Sequence, residues 1–272
     1  MTVAALPPTR ALLVARVLFA IVAVAAGLAG LLMIVAPDET DRYFSWPIGP
    51  PPVAALVGGF YLASALLFGR AAVREDWPGA RGLCIGVLAL TVPTVIATAR
   101  HHDLFDLDRW QAVAWVVLFV ASPIAFGTIL YLQRGRVARA GRALPAWVVT
   151  VCALEAIGYG GLAIALWIAP SDVADVMPFA LPPMSGRFLG CWAAFLSVLA
   201  CFASVRRRWP EARTSLLALT LWPLAASLTA VRSWDDLAPT DRRAGYLVVA
   251  VALTVVGAGM VAASSSTAGS RR

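Results

Sequence analysis

Long apolar runs separated by short polar stretches dominate the pattern of this chain. They cover 11–35, 53–69, 82–99, 111–131, 146–169, 186–203, 214–231 and 245–263. Crossing a bilayer takes about 20 mostly apolar residues at 1.5 Å rise each. The lengths and the lack of strict alternation predict helices rather than strands. Segments of about ten residues with dyad alternation, the mark of a membrane barrel, do not occur. The pattern predicts an all-α polytopic membrane protein with eight transmembrane helices, the second, third, sixth and seventh being short. Arg10 and Arg16 flank the start of the first run, as in a signal peptide. The run exceeds the roughly 7–15-residue core of such signals, so a retained helix is expected.

Composition strengthens this reading. The hydrophobic share is 60% and the charged share 14%, where a soluble domain has about 45–50% and 25%. Mean hydropathy is +0.80. Soluble enzymes, disordered chains and nucleic-acid-binding modules are excluded on these grounds. The net charge of +7 comes from 22 arginines with no lysine, spread over short loops. Such a distribution sets membrane orientation and does not bind nucleic acid. Fifteen arginines fall on the side of the termini and seven on the other, so both termini are expected in the cytoplasm and the protein in the plasma membrane. Trp46, Trp77, Trp110, Trp147, Trp167, Trp209 and Trp234 lie near span ends, where indoles anchor helices at the interface.

The second half restates the first at a spacing of about 132 residues. Ala36-Pro37 matches Ala169-Pro170, Pro50-Pro51 matches Pro182-Pro183, and Gly58 matches Gly190. The loop from Val73 to Arg81, with Trp77-Pro78, matches Val205 to Arg213, with Trp209-Pro210. Leu88-Ala89-Leu90-Thr91 with Pro93 is paired with Leu217-Ala218-Leu219-Thr220 with Pro223. The expected organisation is two parallel four-helix repeats, 1–132 and 146–263, joined by a basic cytoplasmic linker 133–145 and followed by a tail 264–272. Four helices per unit imply a pseudo-two-fold axis along the membrane normal. Two bundles meeting face to face either enclose a cavity or pack solidly, and the sequence leaves both open. Gly27 and Gly160, with Gly30, Gly158 and Gly161 nearby, are expected at close helix contacts. Pro93, Pro123 and Pro223 are expected to kink their helices.

Candidate chemistry centres on Glu155, the one acid inside a predicted span. An ionisable group in hydrocarbon costs a few kcal/mol and normally faces the interior with a partner. Helical spacing puts Cys152, Gly158 and Tyr159 on its face. Val22 holds the matching place in the first half, so the acid is an asymmetric addition. Arg16 and Arg187 are the candidate partners, unless both snorkel to head groups. Glu155, Tyr159, Arg16 and Arg187 form the candidate ligand site; the alternative is a structural hydrogen bond from a protonated Glu155. The acidic outer loops and the run His101-His102-Asp103 with Asp106 and Asp108 lack the spacing of a known metal site. Cys84, Cys152, Cys191 and Cys201 all fall in spans, which disfavours a disulfide framework. No histidine lies in a span to ligate haem, and no phosphate-loop, nucleophile-elbow or zinc-protease motif occurs. No catalytic residue, cofactor or metal is expected.

The stretch Phe44-Ser45-Trp46-Pro47-Ile48-Gly49-Pro50-Pro51, with Gly58 and Tyr61 downstream, resembles a pattern in uncharacterised multi-pass membrane proteins of high-GC Gram-positive bacteria. The arginine-only, alanine-rich composition is similar to that source, and the resemblance implies no activity. The prolines are expected to end helix extension and to fold the outer loop back as a cap. Three function classes follow. The first is a binding or accessory subunit of a cell-envelope membrane complex, with a membrane protein as partner. The second is a small transporter or lipid-handling protein with a lipid or small-molecule site between the repeats near Glu155. The third is an intramembrane enzyme using Glu155.

Overall fold

A computed structural model describes residues 10–74, 77–135, 141–237 and 240–266 of the chain. Glu75, Asp76, Arg136, Arg139, Arg271 and Arg272, used above for the repeat or the charge balance, lie outside the described residues. The described chain is all-α. Its helices are α1 (Arg10–Val35), α2 (Thr40–Tyr43), α3 (Pro51–Val73), α4 (Trp77–Arg100), α5 (Trp110–Leu132), α6 (Ala146–Ile168), α7 (Pro170–Ala174), α8 (Pro183–Arg206), α9 (Trp209–Arg232) and α10 (Thr240–Ser266). All but α2 and α7 are long and apolar enough to cross a membrane, giving eight candidate spans among the described residues.

The helices expected to be short are not. α3, α4, α8 and α9 run for 23 or 24 residues. Proline explains the difference. Pro51, Pro52, Pro183 and Pro210 occupy first-turn positions, where the missing N–H is not needed and the fixed φ suits a helix. The Trp-Pro pairs therefore open α4 and α9 instead of marking loops. Pro93, Pro123 and Pro223 lie within continuous helices.

The loops sort to two faces. Among the described residues, the segments after α1, α4, α6 and α9 carry most of the loop acids, an acidic face, and those after α3, α5 and α8 carry Arg74, Arg134, Arg142 and Arg207, an arginine-rich face. On the acidic face, Arg109 and Gln111 donate to the Arg42 carbonyl at 3.1 Å each. The stretch 44–48 folds inward there, with Thr40 Oγ1 accepting from the Ile48 N–H at 2.9 Å. Trp46 is consequently core, at 1% exposure, and so is Trp77, at 3%. This corrects the interfacial placement expected of both. Trp110 and Trp147 are exposed as anchors would be. On the arginine-rich face, residues 142–144 of the linker pair with the α8–α9 turn through Leu144 N–H to Arg207 O and Trp209 N–H to Arg142 O.

Packing separates a centre from a rim. α3, α4, α8 and α9 bury 50% to 67% of their apolar windows, whereas α1, α5, α6 and α10 bury 17% to 22%. α1 lies on α3, α5 on α4, α6 on α8, and α10 on α9. Across the middle, α4 packs on α8 and α9, and α3 packs on α9. α3 and α4 themselves barely touch, although α8 and α9 do. The centre is thus built from two helices of each half, an interlocked arrangement rather than two closed bundles set face to face.

Residue contacts recur between the halves. A Cβ on Gly27 would meet Ala65 Cβ at 3.6 Å, and one on Gly160 would meet Ser197 Oγ at 3.2 Å. Gly58 comes within 2.9 Å of the Gly30 carbonyl on this measure, and Gly190 within 3.3 Å of the Ala163 carbonyl. The inward stripe Trp115, Phe119, Phe126 and Ile129 of α5, with Gln133 just past its end, reappears in α10 as Tyr246, Ala250, Gly257, Met260 and Ser264. One sequence match does not survive. α4 and α9 have equal length and open on equivalent Trp-Pro pairs, so Pro93 stands opposite Ala225, and the Leu-Ala-Leu-Thr match slips by about one turn.

Candidate functional site

The inward face of α6 carries Cys152, Glu155, Tyr159, Leu162 and Leu166 at helical spacing. Neighbouring helices hold this face in place. Cys152 Sγ lies 3.8 Å from Met260 Sδ of α10, and Ser197 Oγ of α8 donates to the Ala156 carbonyl at 2.7 Å. Gly158 is exposed, and a Cβ added there would meet nothing within 4 Å, so it faces outward and not along the Glu155 stripe as expected. Glu155 is 9% exposed. Both its carboxyl oxygens are buried, and neither has a hydrogen-bond partner. A buried polar group without a partner costs free energy, so this carboxyl is the one group on the face that packing does not explain.

One turn further along α6 is a cavity of about 120 Å³, which Tyr159 lines and Glu155 does not. Its walls come from both halves: Leu56 and Phe60 of α3, Tyr159 of α6, Phe179 of the 175–182 loop, Trp192 of α8 and Tyr246 of α10. Tyr159 is four residues beyond Glu155, which places the two side chains about 5–6 Å apart at Cβ on one helix face. Glu155 thus lies one turn deeper than the cavity wall, toward the arginine-rich face. The sequence singled out Glu155 and Tyr159 but not Phe60, Phe179, Trp192 or Tyr246. The signal available for Tyr246 was its place in α10 opposite Trp115 of α5.

The two arginines are elsewhere. Arg16 Nε donates to the Ala72 carbonyl in the last turn of α3 at 2.7 Å, where a cation suits the helix C-terminus. α1 is not a packing neighbour of α6. Arg187, 8% exposed, contacts His101 at 2.8 Å (Nη1 to Nε2) and the Pro183 carbonyl at 3.5 Å. The structure therefore brings Glu155 and Tyr159 together and draws neither arginine to them.

The Arg187–His101 contact ties the end of α4 to the start of α8. A guanidinium can only donate, so His101 accepts through Nε2 and carries its proton on Nδ1. Burial, and then the adjacent Arg187 charge, holds His101 below the ordinary imidazole value, with Arg100 adding to the effect and Asp103 opposing it. No group of three His, Cys, Asp or Glu among the described residues is placed to hold a metal. Glu211, in the first turn of α9, is a second acid on a long helix; it is buried and pairs with Arg206 at 2.6 Å. The sequence places it in the loop from Val205 to Arg213, because the Trp-Pro start of α9 reads as a loop.

No protein-family model, curated protein or solved structure matches this chain.

Proposed function

We propose that this membrane protein is a small transporter or lipid-handling protein whose ligand site lies between the two halves beside Glu155. One observation carries the reading: the Glu155 carboxyl is buried with both oxygens unpartnered. An acid in a membrane span is costly and ordinarily has a partner, and both candidate partners, Arg16 and Arg187, are bonded elsewhere. A ligand entering the neighbouring cavity supplies what the chain does not. The recurrence of contacts between the halves supports descent from a duplicated four-helix unit, with the site belonging to the half that acquired the acid. The reading includes a plasma-membrane location with both termini cytoplasmic, based on the arginine balance. Labelling of Asp108→Cys by an impermeant maleimide on intact cells is the expected sign of that orientation.

Native mass spectrometry of the protein released from its own membranes, wild type beside Glu155→Gln, tests the function. A lipid or small molecule held by the wild type and lost from the variant is expected. A stoichiometric protein partner held equally by both forms would instead make this an accessory subunit of an envelope complex, with Glu155 a structural residue.

A further inference from the structure

Resting on that reading, we infer that the site beside Glu155 takes a lipophilic organic cation, an alkylated ammonium group bound in the cavity between α3, α6, α8 and α10. Five of the cavity's walls are aromatic: Phe60, Tyr159, Phe179, Trp192 and Tyr246. They are held by one another, with Phe60 on Trp192 at 5.7 Å and Phe179 on Tyr246 at 5.8 Å between ring centroids. Aromatic faces attract cations, and alkylated ammonium groups are bound in cages of this composition. The carboxyl one turn deeper provides the opposite charge. A quaternary ammonium needs no hydrogen bonds, which suits walls that are otherwise leucine, methionine and alanine. Size agrees too: an apolar cavity of roughly 150 Å³ takes benzene, so about 120 Å³ holds a trimethylammonium group with its chain directed toward lipid.

In the other half the equivalent place carries a cluster of rings. There Trp46, Trp115, Phe119 and Phe188 pack on one another, with centroids 3.9 Å apart for Trp115–Phe119, 4.8 Å for Trp46–Trp115 and 5.5 Å for Trp46–Phe188. The equivalent residues are Phe179, Tyr246 and Leu56, which line the cavity, and Ala250, one turn along α10 from Tyr246. These four replacements are smaller, whereas Tyr159 is larger than its counterpart. Val22 and Ala26 stand where Glu155 and Tyr159 do. Smaller residues at these four positions, the added Tyr159 ring and the added acid thus coincide in one half.

The test is calorimetric titration of hexyltrimethylammonium into the full chain in nanodiscs of phosphatidylethanolamine and phosphatidylglycerol, with 1-heptanol as the neutral control. Wild type is expected to bind the cation saturably and the alcohol not. Glu155→Gln should weaken binding by at least about ten-fold, or 1.4 kcal/mol. Ala250→Phe, which restores the ring found at Phe119, should do the same; Ala250→Val is the milder filling variant if the phenylalanine does not fold. Competition by dioctanoylphosphatidylcholine would assign the cation to a lipid head group, and its absence to a free ammonium compound. Absence of binding, or equal binding by wild type and both variants, overturns the inference. If native mass spectrometry still finds a Glu155-dependent uncharged lipid, only the cation class falls. If it finds no Glu155-dependent ligand, the proposed function falls with it.

Discussion

Gly58 shows how much of this fold depends on single atoms. A Cβ there would come within 2.8 Å of Met33 Cβ and 2.9 Å of the Gly30 carbonyl, so α1 and α3 approach closely because neither glycine has a side chain. Without a hydrophobic drive between helices in lipid, such close packing is a main source of association. Gly58→Leu should therefore destabilise the protein by about 1–3 kcal/mol, the usual cost of overpacking, seen as a lower thermal midpoint in detergent. Gly158→Ala is the contrast. Nothing lies within 4 Å of its added Cβ, and alanine favours a helix over glycine by up to about 1 kcal/mol, so the midpoint should hold or rise. At this scale the sequence was legible where a residue type is costly. A glutamate inside an apolar run stands out whatever surrounds it. The rings beside it did not stand out, because apolar aromatics are ordinary in a membrane chain and these come from α3, α6, α8, α10 and a loop. Their meaning is in their convergence, which spacing along the chain does not reveal.

Among the elements, the contact of the α4 end with the α8 start is the one with a titratable group. His101 must be neutral to accept from Arg187, and its proton affinity is lowered by burial and by that arginine. A base with a depressed folded value contributes stability above its ordinary value near 6.5, and that contribution is lost as pH falls through the depressed value. The protonated ring would face Arg187 and Arg100, with only Asp103 opposing. Thermal midpoints should therefore fall as pH drops below about 6.5. His101→Gln, whose amide oxygen can accept from Arg187 without titrating, should flatten that dependence; an unchanged profile would assign the acid sensitivity elsewhere. Element existence was legible throughout, since about 20 apolar residues are a length signal that lipid imposes. Element starts were not. Trp77-Pro78 and Trp209-Pro210 look like punctuation in sequence, yet proline in a first turn opens a helix, and the five added residues carry Glu211 into the structure.

The architecture as a whole follows from where apolar surface is hidden. Most of α1, α5, α6 and α10 faces outward, but α3, α4, α8 and α9 bury half or more of their windows, and much of that burial is against the opposite half. The first half alone would expose the faces of α3 and α4 that meet α8 and α9, including Gly59, whose Cβ would stand 3.0 Å from Ala225 Cβ. Gly82 and Gly86 of α4 likewise receive Phe202 and Phe195 of α8. These are close-packed surfaces suited to another helix and poorly suited to disordered lipid tails. The linker adds little to this union, because its described part pairs with the α8–α9 turn of its own half. Expression of residues 1–135 and 141–272 as separate chains should thus give fragments that are unstable or aggregated alone. Together in one membrane they should co-purify at equal stoichiometry and recover the thermal transition of the intact chain. If either fragment instead yields a stable, monodisperse bundle alone, the halves are independent domains, and a site built from α3 of one and α6, α8 and α10 of the other would lose its structural basis.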